Sequence, residues 1–335
     1  MISVYSAVHF LVDFACAFLM FRFIAKTPDG YLCVLLYNFC AFAMQMPLGI
    51  IADKLNRNYL FAATGCVLTA AAYGFVGIPA AAAVVIGVGN GMFHIGGGID
   101  VLNISEEKSG ALGVFVSPGA FGVYFGTLFG RGNSLPAAPI ILTLLIAVGL
   151  IFNARRVQCG TYRENAAFSL EGVDFRRVFI AIVCLFLVVC LRSYAGLTLN
   201  FPWKGAGYWG IVLVCAVVFG KTLGGFAADR FGAVRTALLS LSIAALLFLF
   251  SEIPLPGVTA VFLFNMTMPI TLWAMAKIFP GAKGCSFGLL TFGLFLGFLP
   301  VYLNIMPPPN GYWLFALAAA VSLALILIGL RRAKQ

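Results

Sequence analysis

The residues of this chain that could do chemistry are ionisable side chains inside long apolar runs. His9 and Asp13, in "HFLVD", are four residues apart, so on a helix they share one face and lie one turn from each other. Such a pair can share a proton or a hydrogen bond, and a carboxylate there can be neutral or ionised according to its surroundings. The spacing predicts a proton-coupling pair; a structural hydrogen-bond pair that joins two helices is the alternative.

The stretch "GNGMFHIGGGID" adds a second histidine and carboxylate, His94 and Asp100. Successive helical residues turn by about 100°, so these two side chains point to different faces and differ by about 9 Å in depth. We therefore expect separate roles. His94 is a candidate substrate-binding residue on a glycine-rich helix, or a satisfied core histidine, whereas Asp100 is a candidate gating residue near the cytoplasmic end, or an interfacial one.

The second half of the chain contributes cations, Arg192 in "LRSYAGL" and Lys221 in "FGKTLGG". A charge near the bilayer centre costs at least about 2.5–3.5 kcal/mol unless it faces a cavity or a partner. Arginine offers a fork that suits a carboxylate or phosphate, and lysine offers a point charge. We predict that both bind an anionic solute, directly or in competition with Asp13; a permanent ion pair is the structural alternative. Weaker candidates for substrate binding are Gln45, Asn38, Tyr194 and Trp273.

Composition dictates the elements that position these residues. The 335-residue chain is 62% hydrophobic and only 10% charged, with a mean hydropathy of +1.04, which indicates an integral membrane protein. The net charge of +10 gathers in loops, where it sets topology and faces anionic lipid, so no nucleic-acid partner is expected. The nine cysteines form no CxxC pair, and we predict no metal site and no cofactor.

The predicted fold is all-α, with twelve transmembrane helices in two pseudo-symmetric six-helix halves. Residues 1–154 form the N-terminal bundle, 155–175 a cytoplasmic loop and 176–335 the C-terminal bundle. Most loop cations fall on one side, which predicts cytoplasmic N and C termini. The predicted spans are 2–25, 31–53, 58–76, 79–103, 110–130, 136–154, 176–199, 206–228, 233–251, 256–277, 284–305 and 310–331.

A pattern recurs between the second and third spans of each half, as "GIIADKLNRN" (49–58) and "GGFAADRFGAVR" (224–235). These loops resemble the signature loop of the major facilitator superfamily. A carboxylate there can accept hydrogen bonds from the N–H groups that begin a neighbouring helix and can pair with a nearby arginine. Beside Asp100, the predicted gating residues are Asp53, Arg57, Asp229, Arg230 and Arg235; ordinary loop charges are the alternative.

The resemblance implies a non-enzymatic secondary transporter that works by alternating access, with proton coupling by symport or antiport. Arg192 and Lys221 predict that its small polar solute is anionic. "HFLVD" and "GNGMFHIGGG" are also similar to the fosmidomycin-resistance branch, which would favour drug or metabolite efflux by proton antiport. An intramembrane enzyme is the alternative from a different class, but the chain has no HExxH motif and the repeat would be unexplained. We expect a monomer in the cell inner membrane whose partners are the solute, protons and lipid.

Overall fold

A computed structural model describes residues 1–105, 108–132, 135–157, 175–279, 281–305 and 311–333, and these ranges contain helices and no strands. The helices are α1 (Ile2–Leu19), α2 (Gly30–Asn38), α3 (Gln45–Leu55), α4 (Asn58–Ala71), α5 (Pro79–Ile104), α6 (Gly110–Val116), α7 (Pro118–Gly132), α8 (Ala137–Val157), α9 (Phe175–Thr198), α10 (Trp209–Phe231), α11 (Ala233–Phe248), α12 (Pro254–Asn265), α13 (Met268–Ile278), α14 (Lys283–Tyr302) and α15 (Trp313–Ala333).

The helices follow the predicted spans closely. Within the described ranges, ten helical stretches are long and apolar enough to cross a membrane, once π-helical turns such as Met20–Ile24 are joined to their neighbours. The other two predicted spans hold shorter helices: α4, which continues into a 3₁₀ turn at Ala72–Phe75, and α11. Of the predicted inter-half loop, residues 155–157 extend α8 and Phe175 begins α9, while 158–174 lie outside the described residues.

The chain divides into two compact units, and each takes in a short segment from the other end of the sequence. Unit 1 comprises the described parts of Met1–Glu106, Pro118–Ala166 and Gly281–Phe292. Unit 2 comprises the described parts of Glu107–Ser117, Ala167–Pro280 and Gly293–Gln335. In unit 1, α1 packs along α7 and α4 packs along α5, and in unit 2, α9 and α11 pack against α15 and α10 packs against α12.

Glycines set how closely the helices of unit 1 approach. A Cβ at Gly89 or Gly96 of α5 would collide with the backbone of α4, and one at Gly122 or Gly126 of α7 would collide with the backbone of α1. Only glycine leaves room for backbones this close, as at the small-residue contacts of other membrane helices. Gly89 and Gly96, on either side of His94 in the sequence, therefore serve helix packing, which fixes the rotation of α5 and the direction in which its polar residues point.

The predicted span 256–277 is a broken helix in unit 2. α12 ends at Asn265, and α13 begins at Met268 with Pro269 in its first turn. Proline is favoured at the first turn because its missing N–H has no partner to lose there, but it cannot continue a helix from before. Thr267 consequently occupies the N-cap position in the middle of the span.

Candidate functional site

The main polar site of unit 1 joins three side chains, which we call the imidazole–carboxylate cluster: His9 and Asp13 of α1 and His94 of α5. His9 Nε2 lies 3.2 Å from Asp13 Oδ2. His94 Nε2 lies 2.8 Å from His9 Nε2 and 3.7 Å from Asp13 Oδ1. The chain has only two histidines, and both are in this cluster.

Hydrogen bonding fixes where the protons of the cluster lie. His94 Nδ1 is 2.8 Å from the Asn90 carbonyl oxygen, which can only accept, so this nitrogen carries a proton. In the neutral ring, Nε2 then presents a lone pair towards His9, whose own Nε2 must donate across the 2.8 Å contact. In that arrangement one proton lies between the two Nε2 atoms, beside the Asp13 carboxylate.

The Asn90 side chain holds the carboxylate from the other side. Its Nδ2 donates to Asp13 Oδ1 at 2.9 Å and also lies 3.5 Å from Cys16 Sγ. Asn90 Oδ1 is buried, and no hydrogen-bond partner for it occurs among the described residues. On α7, Gly119 lies so close that a Cβ would collide with His9 Nε2 and Asp13 Oδ2. The cluster is therefore enclosed by α1, α5 and α7.

The cluster also has the donor set of a small cation site. One ligand atom from each of His9, Asp13 and His94 can be chosen so that all three lie within 4.8 Å of one another. Two imidazoles and a carboxylate with open positions suit a divalent transition metal.

Asp100 occupies a separate site on α5, as its six-residue separation from His94 predicts. It is fully buried and accepts a hydrogen bond from the Tyr5 hydroxyl of α1 at 2.6 Å. This contact ties α5 to α1 within unit 1, one helical turn from His9. Its role as a gating residue stays a prediction.

Arg192 forms the main charged site of unit 2. Its side chain is buried in α9, and its Nη atoms donate to Thr267 Oγ1 at 3.0 Å and Thr271 Oγ1 at 3.4 Å. Both threonine hydroxyls donate their own protons to carbonyls one turn earlier, so they accept from the guanidinium. In the described part of the chain, no carboxylate lies within ion-pair distance of Arg192.

Lys221 and Trp273, two further predicted binding residues of unit 2, have described contacts with groups other than Arg192. In unit 2, Lys221 Nζ lies 3.5 Å from the Val116 carbonyl, and the Trp273 ring stacks beneath the Lys277 ammonium at 4.6 Å. Tyr194 is half-buried on α9, two residues after Arg192.

Two further candidates lie in unit 1. The Asn38 and Gln45 side-chain amides donate back to carbonyls of their own helical stretch, at 2.8 and 2.5 Å. Gln45 Oε1 is buried with no partner among the described residues, so this side chain retains an unused acceptor. Their part in solute binding stays a prediction.

The two signature loops have the same construction. Asp53 is followed by Asn56 and Asp229 by Gly232, each of which has a positive φ and follows the last residue of its helix. In unit 1, Asp53 accepts from the Gly284 and Cys285 N–H groups at 2.8 and 2.9 Å. Each aspartate is thus presented just before its helix ends, where it can reach the start of another helix.

In unit 2, Asp229 accepts from the Ser109 and Gly110 N–H groups at 2.7 and 2.8 Å and from the Ser109 hydroxyl at 2.9 Å. Both aspartates therefore neutralise the positive end of a helix, the contact expected of them. The expected arginine partners are absent from the described ion pairs: Arg57 and Arg235 are exposed, and Arg230 stacks over Phe231.

Sequence reasoning missed Thr267, Thr271 and Gly119. The four-residue spacing in "TMPIT" could have indicated two hydroxyls on one helix face. Sequence reasoning also took the chain to lack a GxSxG nucleophile, although "GCSFG" (284–288) matches this pattern of serine hydrolases. That pattern requires a strand-to-helix turn with an exposed serine, whereas Ser286 is fully buried within α14. It therefore does not indicate a nucleophile.

Comparison with solved structures identifies the fold. A Major Facilitator Superfamily transporter, FucP, in the outward conformation aligns with a TM-score of 0.69 and 15% identity over 100% of this chain and 98% of that one. A variant of the E. coli fucose:proton symporter FucP aligns with a TM-score of 0.66 and 14% identity, over 100% and 98%. A bacterial homologue of the iron transporter ferroportin in the outward-facing state gives 0.62 and 15%, over 99% and 98%.

No family model and no curated protein matches the sequence. Identities of this size establish the fold alone, and the narrower resemblance to the fosmidomycin-resistance branch stays a prediction. The chain has the multi-pass, all-helical fold of Major Facilitator Superfamily transporters.

Proposed function

We propose that this chain is a secondary active transporter that moves a small anionic solute across the cell inner membrane by alternating access, coupled to protons. The fold is one that symporters such as the fucose:proton symporter use, which supports secondary transport as the class of activity. The residue boundaries proposed for its two bundles remain 1–154 and 176–335, with both termini cytoplasmic and a monomer as the working unit.

The observation that carries the anionic solute is Arg192. A guanidinium has five N–H donors, and the described contacts of Arg192 are to two neutral hydroxyls. Burying a charge without an opposite charge is expensive, so a site of this kind is best explained by an anion that arrives from outside. The break between α12 and α13 also supports an anion site, because Thr267 lies at the N-terminus of α13, where N–H groups favour negative charge.

The proton-coupling role belongs to the imidazole–carboxylate cluster. Asp13 and His9 were expected to share a proton, and His94 joins them, with its lone pair towards His9. We therefore place His94 with the proton-coupling residues, while Asp53 and Asp229 act as latches that hold one conformation through their helix ends.

A ligand screen tests the anion site. Purified protein is heated with small carboxylates and phosphates and with their neutral amide or ester analogues. An anion at 100 times its dissociation constant should stabilise the protein by about 2.7 kcal/mol, and its neutral analogue should not. The stabilisation by the anion, measured as a rise in melting temperature, should vanish in Arg192→Gln. It should persist in Arg331→Gln, a matched change at an exposed position of α15. Equal stabilisation by the neutral analogue, or an unchanged shift in Arg192→Gln, would contradict the proposal.

Proteoliposomes test coupling and direction. With the anion identified, an imposed pH gradient should drive its accumulation, and a pH-sensitive dye inside the vesicles reports which way protons move. Protons that move with the anion indicate symport, and protons that move against it indicate the efflux-type antiport. Transport that does not depend on the pH gradient would contradict the proposed proton coupling.

A further inference from the structure

We infer that the imidazole–carboxylate cluster binds one divalent transition-metal ion, with His9, Asp13 and His94 as its protein ligands. The inference does not depend on the nature of the transported solute, since it concerns a site within unit 1 and can be measured without transport.

The donor set selects the class of metal. Two imidazole nitrogens and one carboxylate suit Zn²⁺, Co²⁺, Ni²⁺ or Fe²⁺, whereas Mg²⁺ and Ca²⁺ prefer sites built of oxygen. Both histidines of the chain converge here from positions 85 residues apart, and they meet a carboxylate on one of the two helices. Packing of apolar helices alone does not require two imidazoles and a carboxylate to meet.

The distances are already close to those of a filled site. Zinc binds imidazole nitrogen at about 2.0–2.1 Å and carboxylate oxygen at about 2.0–2.2 Å, so neighbouring ligand atoms around one ion lie about 3–3.5 Å apart. The separations are 2.8 Å between the two Nε2 atoms, 3.2 Å from His9 Nε2 to Asp13 Oδ2 and 3.7 Å from His94 Nε2 to Asp13 Oδ1. With one atom chosen from each residue, all three ligand atoms lie within 4.8 Å of one another, so rotation of the carboxylate and small movements of the rings would bring them around a common centre.

The ring of His94 is held as metal-binding histidines are held. Ligating histidines almost always donate their second ring N–H to a carbonyl or carboxylate, which fixes the tautomer and aims the other lone pair at the metal. His94 Nδ1 donates to the Asn90 carbonyl and leaves Nε2 facing His9 and Asp13. A metal would take the position of the one proton that now links the two Nε2 atoms.

The surroundings tolerate an ion. The Asp13 carboxylate offsets one of the two positive charges of the ion. The Asp13 and His94 side chains keep 13% and 11% exposure, so water can complete the coordination. Asn90 adds an independent indication, because its buried Oδ1 lacks a partner among the described residues. Rotation of this amide would place the oxygen where Nδ2 now lies, 2.9 Å from Asp13 Oδ1, and this contact between two acceptors would become favourable only with a cation beside both oxygens.

Zinc titration of the full chain in detergent tests the inference. The protein is purified with a tag that contains no histidine, and ZnCl₂ is added in a calorimeter. We expect one Zn²⁺ per chain, with affinity lowered at least about tenfold in His9→Gln and in His94→Gln, and unchanged in Glu252→Gln, an exposed carboxylate between α11 and α12. Binding that is absent, or equal in all of these proteins, overturns the inference.

X-ray absorption on the zinc-loaded wild-type chain gives a second test that requires no variant to fold. Scattering from two imidazoles in the zinc shell can come only from His9 and His94, because the chain has no other histidine. A shell with two imidazoles and oxygen supports the site. A shell dominated by sulfur would place the ion on the cysteines, such as Cys16 beside Asn90, and would overturn it.

The outcomes separate this inference from the proposed function. Zinc binding is measured without any gradient or solute, so a failed anion screen leaves it standing. Loss of zinc binding likewise leaves the Arg192 experiment in unit 2 unaffected.

Discussion

In unit 1, the Asp13 carboxylate is surrounded by nitrogen atoms of His9, His94 and Asn90, at 3.2, 3.7 and 2.9 Å. In unit 2, the Arg192 guanidinium meets only threonine hydroxyls, at 3.0 and 3.4 Å, among its described contacts. The first site contains groups that can compensate its charge, whereas the second does not. Under the proposed function the two buried charges have different uses: the first site changes its proton or cation content locally, and the second binds an incoming anion.

Removing the Asp13 carboxylate should have the largest effect, because it takes away the charge that distinguishes the site in unit 1. In Asp13→Asn the cluster has no acid left, so we expect accumulation driven by a pH gradient to be lost while exchange of solute without a gradient persists. Uptake by proteoliposomes measures both. Asp29→Asn, a change at an exposed carboxylate just before α2, should behave as wild type. Full gradient-driven accumulation in Asp13→Asn would show that coupling lies elsewhere.

Removing the Arg192 guanidinium of unit 2 should weaken anion binding. A hydrogen bond to a charged group contributes about 1.5–3 kcal/mol, so Arg192→Gln should weaken anion binding by about tenfold to 150-fold. Arg192→Lys should recover part of this loss, because it keeps the charge but not the fork. Competition binding measures the affinities. An Arg192→Lys protein no better than Arg192→Gln would indicate that geometry, and not charge, dominates.

A change at Gly119 probes how tightly the cluster is enclosed. A Cβ there would press on His9 Nε2 and Asp13 Oδ2, and overpacking of this kind typically costs about 1–3 kcal/mol. Gly119→Ala should lower the melting temperature and weaken zinc binding together. Gly149→Ala is the matched control, since a Cβ at that position of α8 meets nothing within 4 Å. Equal melting temperatures in Gly119→Ala and Gly149→Ala would mean that α7 can move away from His9 and Asp13 without a measurable loss of stability.

Substitution of the two proposed latch residues, Asp53 and Asp229, should give the smallest effects. Loss of a helix cap costs about 0.5–2 kcal/mol, so Asp53→Ala and Asp229→Ala should speed conformational exchange by a few-fold up to about thirtyfold. Asp229 accepts three described hydrogen bonds and Asp53 accepts two, so we expect the larger change for Asp229→Ala. Spin-label distance distributions report the exchange. Unchanged populations and rates in both variants would reduce these residues to ordinary loop charges.

Much of the architecture could be predicted because bilayer physics restricts it. Apolar runs of sufficient length must form helices, and the repeated Asp53 and Asp229 loops located the same helix end in each half. The contact of His9 with Asp13 was predictable as well, because helical periodicity alone brings residues four apart together.

The third member of the cluster could not be predicted in the same way. His94 meets His9 because Gly89 and Gly96 let α5 settle closely on α4, and this contact sets the rotation of α5. Such a rotation depends on side-chain fit along the whole helix and leaves no local pattern in the sequence. The hydroxyls around Arg192 were missed for a related reason, since the break between α12 and α13 places Thr267 where a continuous helix would not.

The scarcity of histidine has a practical consequence for spectroscopy. Because both imidazoles of the chain lie in one cluster, isotope labels confined to histidine would give nuclear magnetic resonance signals from that cluster alone. Nitrogen-15 shifts distinguish a protonated ring nitrogen from a bare one and from one bound to metal. A spectrum of only four ring nitrogens would therefore report directly what occupies the 2.8 Å gap between the two rings as solute, pH or zinc is varied.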